Sequence, residues 1–171
     1  LSESQKFLEK VIQSQRAKPS LLNSANYLFA KTKMWRGHFS EAIQIFNKVI
    51  EDPKEENVND ALQYSLLLNT FKNDSTNLFL FFNADYLLET RKFNEAAGEF
   101  KKLANNKNLI LLKDFASLRY TQLLIALNNY EQTRIFLEES GNCDEANIYQ
   151  DRFLYLLGIN YYYGLNEQDK A

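Results

Sequence analysis

The apolar residues of this chain recur three and four positions apart, in segments that short polar stretches separate. Such spacing places them on one face of a helix, and the pattern predicts ten helices and no strand. Glycine, asparagine or proline stands at the end of most segments, and the connections are short. Short connections make neighbouring helices antiparallel. We therefore expect an all-α fold built from antiparallel helix pairs.

The predicted pairs occupy about residues 22–53, 76–107, 112–140 and 145–171, with the last pair truncated and an extra helix at about 59–73. A first helix around Leu8 should end before Pro19, because the residue preceding a proline avoids the helical conformation. Gly37 and Gly164 are expected to end helices, as glycine commonly does. Asn166 is expected to begin the tenth helix.

A short phrase recurs where the second helix of a pair should begin. In each copy an aromatic residue is followed three positions later by a small residue, and four positions after that by a large apolar one. Helical geometry puts the small and the large residue on one face. Self-similarity of this kind indicates a helical repeat protein. The three copies are Phe39-Ala42-Phe46, Phe93-Ala96-Phe100 and the more degenerate Tyr130-Thr133-Leu137.

These residues resemble the tetratricopeptide repeat family, whose unit of about 34 residues is a helix–turn–helix. That family places a small residue and an aromatic in the first helix, as in Leu157-Gly158 with Tyr161, and Ala30 and Ala84 keep the small residue. The resemblance implies antiparallel helix pairs stacked in a right-handed α-solenoid. It also implies a single repeat domain over residues 1–171, which we expect to be a fragment of a longer chain.

Two further stretches, Val58–Leu62 and Tyr149–Gly158, are similar to repeat proteins of bacteria of the Bacteroidetes–Chlorobi type. Many such proteins are long and exported. This similarity implies a bacterial protein of the cytoplasm or periplasm, and no signal peptide is visible in the sequence.

In the resembled family the first helix of each pair lines a concave groove, and the resemblance carries this role onto ten residues here. Amphipathic aromatic residues suit recognition of an extended or helical peptide. Packing of the same aromatic residues against neighbouring repeats is an open alternative. We also expect Leu156, Leu157 and Tyr161 to lack a covering helix. The candidate groove residues are Tyr27, Lys31, Trp35, Phe81, Asp85, Leu118, Gln122, Tyr155, Ile159 and Tyr162.

Composition narrows the function classes. The 171 residues include 45% hydrophobic and 25% charged residues, as is usual for a globular domain. A net charge of -2 disfavours nucleic acid as a partner. No apolar run approaches the roughly 20 residues that span a bilayer. The single cysteine, Cys143, excludes a disulfide within the chain.

Candidate chemical groups are few. His38 is the lone histidine and lies in a predicted turn, where it is interpreted as an exposed residue rather than a base or ligand. Cys143 has no histidine near it in sequence, and is interpreted as an incidental thiol. The acidic cluster of Glu51, Asp52, Glu55, Glu56 and Asp60 matches no calcium-loop spacing and is interpreted as a solvated connection. We expect neither a catalytic site nor a metal or cofactor.

We therefore expect a non-catalytic protein–protein interaction scaffold whose partner is another protein or a peptide. Two alternatives remain open at this stage. The repeats can form a structural spacer, or they can form the regulatory domain of a larger enzyme or assembly complex.

Overall fold

The computed structural model describes residues 2–109, 111–139, 143, 147 and 149–170, and every regular element in these ranges is helical. The predicted all-α class is confirmed for this part of the chain. The described elements are α1 (Ser2–Ile12), α2 (Pro19–Trp35), α3 (Phe39–Ile50), α4 (Val58–Thr70), α5 (Ser75–Glu89), α6 (Phe93–Ala104), α7 (Leu111–Ala126), α8 (Tyr130–Glu139), α9 (Gln150–Ile159), a π-helical segment (Asn160–Leu165) and a 3₁₀ turn (Gln168–Lys170).

The chain forms two compact units, Leu1–Asn83 and Ala84–Ala171. In the first unit, α2 packs against α1 and α3, and α3 packs against α4. In the second unit, α7 packs against α6 and α8, while α9 and the π-helical segment pack against α8. Packed neighbouring helices are what the sequence predicts. The superhelical stacking of the pairs remains a prediction.

Local sequence features explain where two of the helices begin. Helix α2 begins at Pro19, earlier than expected, because proline lacks only an N–H group that the first helical turn leaves unpaired. Helix α5 begins after Asp74, whose Oδ1 atom accepts the backbone N–H of Asn77 at 3.3 Å. The predicted helix break and cap at residues 73–75 is therefore confirmed.

The same left-handed turn precedes the repeated phrase in all three copies. Gly37, Arg91 and Asn128 have φ angles of 78°, 61° and 58°, two positions before the aromatic residue. The predicted helix end at Gly37 is thus confirmed. In each turn the next residue donates its backbone N–H to the carbonyl five positions back, which satisfies a helix-end acceptor. These bonds join His38 to Lys33 at 3.0 Å, Lys92 to Leu87 at 2.9 Å and Asn129 to Leu124 at 2.8 Å.

The small and large residues of the phrase form the buried side of the second helix. The small residues Ala42, Ala96 and Thr133 are completely buried, so the helix backbone can approach its neighbours closely. Four positions later the large residues fill the space between helices, and none is more than 1% exposed: Phe46, Phe100 and Leu137. The degenerate third copy therefore uses its residues in the same way as the first two.

The backbone hydrogen bond at the last left-handed turn spans one more residue than the corresponding bonds in the three earlier turns. Helix α9 gives way at Asn160 to the π-helical segment, and the left-handed residue that follows is Asn166, with φ of 58°. Glu167 then donates its N–H to the Tyr161 carbonyl at 2.9 Å, six positions back instead of five. The predicted helix end at Gly164 is therefore wrong, because the helical turns continue to Leu165.

The ends of the fourth pair also differ from the prediction. The expected start of the ninth helix at Glu145 lies outside the described residues, and α9 begins at Gln150. Where a tenth helix was expected from Asn166, the described residues form a left-handed turn and the short 3₁₀ turn. The longer π-helical rings displace this turn along the chain by one residue.

Gly164 has a steric role within the π-helical segment. A Cβ atom at this position would lie 2.4 Å from Tyr130 Cδ1 and 2.5 Å from Tyr130 Cγ. The fully buried Asn160 donates its side-chain N–H to the Tyr130 carbonyl at 3.0 Å. Tyr161 donates its hydroxyl to Glu138, and this hydrogen bond raises the pKa of Tyr161. The π-helical segment is thus held against α8 by contacts of Asn160, Tyr161 and Gly164.

The expectation that Leu156, Leu157 and Tyr161 lack a cover is wrong. Tyr161 is buried, and the two leucines pack partly against the core cluster that contains Phe153. These three residues lie on the side of the helix that faces α7 and α8. The preceding helix pair therefore already covers them.

Two substitutions with opposite expected effects on stability test the role of residue type in the left-handed turn. Gly37→Ala should destabilise the protein, because alanine is strained at a φ of 78° and its Cβ would lie 3.3 Å from Phe79 Cδ2. Arg91→Gly should stabilise the protein by up to about 1 kcal/mol, because glycine adopts this conformation without a Cβ clash. Urea unfolding of both variants provides the measurement. Changes of the same sign would contradict this account.

The contact between Gly164 and Tyr130 predicts a second pair of stability changes. Gly164→Ala should lower the free energy of unfolding by about 1–3 kcal/mol, as overpacking does. Gly98→Ala is the matched control, because a Cβ on this helical glycine of α6 would meet nothing within 4 Å. The control should be neutral or stabilising by up to about 1 kcal/mol. Equal unfolding midpoints for the two variants would refute the steric role of Gly164.

Candidate functional site

Three of the predicted groove residues lie together on α2 in the first unit. The Lys31 ammonium nitrogen is 4.9 Å from the centroid of the Trp35 ring and 5.6 Å from that of the Tyr27 ring. Lys31 and Tyr27 are buried, and the Tyr27 hydroxyl lies 3.5 Å from Asp60 Oδ2. Cation–π attraction therefore holds this lysine in a largely internal position.

Three more predicted groove residues are buried. Phe81 is 2% exposed, Asp85 is 5% exposed and Leu118 is 6% exposed. Leu118 packs with Leu137 and Phe153 in the core of the second unit. These side chains, like Tyr27 and Lys31, are not available at the surface. A peptide groove formed by all ten residues remains a prediction.

The other predicted residues of the second unit are more accessible. Gln122 is exposed on α7 and accepts a hydrogen bond from Arg119 at 3.5 Å. Tyr155 and Tyr162 are exposed, and Ile159 is half-buried. The last three lie together on one side of α9 and its π-helical continuation. This side is the best candidate for a functional surface.

We define the α9 face by six residues that line one shallow concavity of about 390 Å³: Leu154, Tyr155, Gly158, Ile159, Tyr162 and Tyr163. Their spacing, one and four positions apart, places them on one side of the helix. Tyr162 and Tyr163 meet edge to face, with ring centroids 4.6 Å apart. None of the six carries a charge, whereas the preceding turn presents Asp151 and Arg152. The face is thus apolar with a charged margin at its N-terminal end.

Sequence reasoning identified half of the α9 face. Tyr155, Ile159 and Tyr162 were predicted as groove residues from the resemblance, but Leu154, Gly158 and Tyr163 were not. The helical spacing around Leu154 is a signal that could have revealed it. Tyr163 carries the same signal, because it lies four positions after Ile159.

A second surface lies between α6 and α8, with Tyr120 of α7 as its floor. Two adjoining concavities of about 340 and 220 Å³ share Lys101, Tyr120 and Gln132. The Tyr120 hydroxyl accepts a hydrogen bond from Gln132 at 3.0 Å, and its ring meets Phe136 edge to face at 4.9 Å. Burial raises the pKa of Tyr120.

The remaining candidate groups occupy ordinary positions. His38 is an exposed turn residue, as predicted, with Nδ1 3.4 Å from Glu41 Oε1. A hydrogen bond from Lys33 lowers the pKa of Glu41. Cys143 packs against the core cluster of the second unit. In the acidic connection, Asp52 accepts the backbone N–H of Lys54 at 3.1 Å.

No group of three or more histidine, cysteine, aspartate or glutamate side chains among the described residues is arranged to hold a metal ion. No helix in the described ranges has the length and apolar character that a membrane span requires.

Comparison with known proteins identifies no relative of this chain. The chain matches no protein-family model, and no curated protein or solved structure is significantly similar to it. The resemblance to tetratricopeptide repeats therefore rests on the residues themselves.

Phe81 and Tyr155 were both predicted to line the groove, but Phe81 is buried and Tyr155 is exposed. We therefore expect their substitutions to have different effects on stability. Phe81→Ala should cost about 3–5 kcal/mol, because it removes a buried ring and leaves a cavity. A loss of this size should lower the melting temperature by more than about 10 °C. Tyr155→Ala should change it by only a few degrees, because Tyr155 is 69% exposed. Thermal unfolding followed by circular dichroism gives both values, and similar shifts for the two variants would contradict the assignment.

Proposed function

We propose that this chain is a non-catalytic protein–protein interaction scaffold built from tetratricopeptide-like helix pairs, and that the α9 face is its docking surface. The repeated turn and the repeated small and large buried residues support the repeat assignment. Recurrent pairs of this kind stack into a scaffold, and their function is to present surfaces to partners.

The observation that carries the proposal is the amount of aromatic surface on the α9 face. Tyr155, Tyr162 and Tyr163 are 69%, 46% and 77% exposed. With roughly 200 Å² for each aromatic side chain, the three tyrosines present about 400 Å². Contiguous apolar patches of a few hundred Å² are among the largest on a typical monomer and often have a partner.

The chemistry of the face also suits a protein partner. Tyrosine supplies a large apolar ring and a hydroxyl group, and few rotatable bonds are immobilised when it binds. Leu154, at 47% exposed, adds aliphatic surface beside Tyr155. Aromatic anchors near the centre of an interface commonly contribute most of its binding energy.

Site-specific photo-crosslinking tests this function. A photoreactive phenylalanine analogue at Tyr163 should crosslink to a partner in lysate from cells that naturally produce the protein. The same analogue at Lys102, an exposed position on α6, is the matched control. The adduct at Tyr163 should disappear in the Tyr155→Lys background, because a charge at the centre of an apolar interface is costly to desolvate.

Two results would contradict the proposal. One is the absence of any adduct specific to Tyr163 over Lys102. The other is an adduct that persists at full yield in a folded Tyr155→Lys variant. A melting curve for each variant must show that folding is retained.

A further inference from the structure

The two adjoining concavities between α6 and α8, which share Lys101, Tyr120 and Gln132, form one surface that we call the Tyr120 groove. The larger concavity, of about 340 Å³, falls within the range of roughly 300–1,000 Å³ that is usual for sites of small organic molecules. The groove has no residue in common with the α9 face. It is therefore a separate surface of the second unit, with its own chemistry.

The hydroxyl group of Tyr120 has a hydrogen-bond donor to offer in this groove. Tyr120 is only 2% exposed, yet it lines both concavities. Its hydroxyl oxygen accepts the Gln132 side-chain N–H at 3.0 Å, and none of the described residues accepts the hydrogen of the hydroxyl itself. Because burial raises the pKa of Tyr120, this hydroxyl stays protonated at neutral pH. An acceptor in the groove would complete its pairing.

Lys101 supplies a positive charge beside this hydroxyl. The neighbouring Lys102 forms a salt bridge to Glu99 at 2.7 Å, whereas Lys101 forms none with the described residues. The positions one turn away from Lys101 on α6 are alanine, glycine and asparagine, so its own helix provides no carboxylate. The ammonium group of Lys101 is therefore available to a ligand in the groove.

Gly98 keeps the groove open on one side of Lys101. It lies in the middle of α6, where glycine is less favourable than alanine. A Cβ at this position would meet nothing within 4 Å, so packing against the described residues does not require glycine. A longer side chain here would enter the smaller concavity, which Gly98 lines. An occupant of this concavity would account for the glycine.

The lining residues define the chemistry of such an occupant. A hydroxyl donor and an ammonium group together favour an anionic acceptor. Glu139 lines the outer part of the larger concavity, so the charges of the lining residues cancel, which favours a singly charged carboxylate over a phosphate dianion. The smaller concavity is lined by no acidic residue, and Leu124 and Leu127 give it an apolar wall. An apolar group fits there, away from Glu139.

We propose that the Tyr120 groove binds a small organic acid. The carboxylate accepts hydrogen bonds from the Tyr120 hydroxyl and the Lys101 ammonium, and the apolar body lies over Gly98 against Leu124. This inference goes beyond the proposed function, because it assigns a small-molecule site to a surface that the docking face does not include.

Two acids with different apolar bodies, hexanoate and 4-phenylbutyrate, serve as probes. Heteronuclear NMR spectra of the whole protein should show saturable shifts of backbone amides in α6 and α8 at millimolar acid. The neutral amide of 4-phenylbutyrate is the matched ligand control. It should bind at least about tenfold more weakly, because it lacks the charge that strengthens hydrogen bonds from the two donors.

Matched variants locate the binding. Lys101→Gln and Tyr120→Phe should each weaken the affinity for the acid about tenfold, because each removes one donor to the carboxylate. Lys102→Gln is the control, since it removes the same charge from the adjacent position, whose lysine pairs with Glu99. Gly98→Leu should abolish binding by filling the smaller concavity. A melting curve for each variant establishes that it is folded.

The outcomes are distinct. Binding of an acid that Lys101→Gln weakens and Lys102→Gln spares supports the proposal. No saturable shift with either acid, equal affinities for the acid and its amide, or equal effects of the two lysine variants overturns it. Binding of a blocked Leu-Glu-Leu peptide without binding of the free acids would make a peptide the ligand, and would also overturn the inference. The crosslink at Tyr163 tests the proposed function independently of all these results.

Discussion

The structure depends on close approach between paired helices, and small residues make that approach possible. Where α2 meets α3, and where α7 meets α8, a small residue on each helix is completely buried. Phe46 and Leu137 then occupy the space beside these contacts, so each interface combines a close backbone contact with a filled gap. Thr133 serves as well as alanine here because its hydroxyl donates to the Asn129 carbonyl at 3.0 Å, which satisfies a buried polar group.

The left-handed turn sets the geometry in which these residues meet. The turn reverses the chain over a few residues, and its position fixes which residues of the second helix face the first. Glycine is the least strained residue for this role, yet Arg91 and Asn128 also adopt positive φ angles. Packing of the two helices on either side therefore determines the backbone conformation at these positions, even where the residue type disfavours it.

The fourth occurrence of the turn shows how a single extra residue is accommodated. The π-helical segment adds one residue between Gly158 and the left-handed Asn166, and Gly164 leaves space for the Tyr130 ring. In this segment Tyr161 is buried and Tyr163 is exposed.

Helical periodicity and the recurrent small and large residues determined the all-α class, most helix boundaries and the buried sides of α3, α6 and α8. These features are local, because side chains three or four positions apart share a helix face whatever else the chain does. The tertiary structure alone decided which apolar faces are covered. Phe81 and Tyr155 have similar sequence surroundings, yet one is buried and the other exposed, because covering a face requires elements distant in sequence. The π-helical segment was equally invisible to sequence analysis, since it arises where Asn160 and Gly164 contact Tyr130 on another helix.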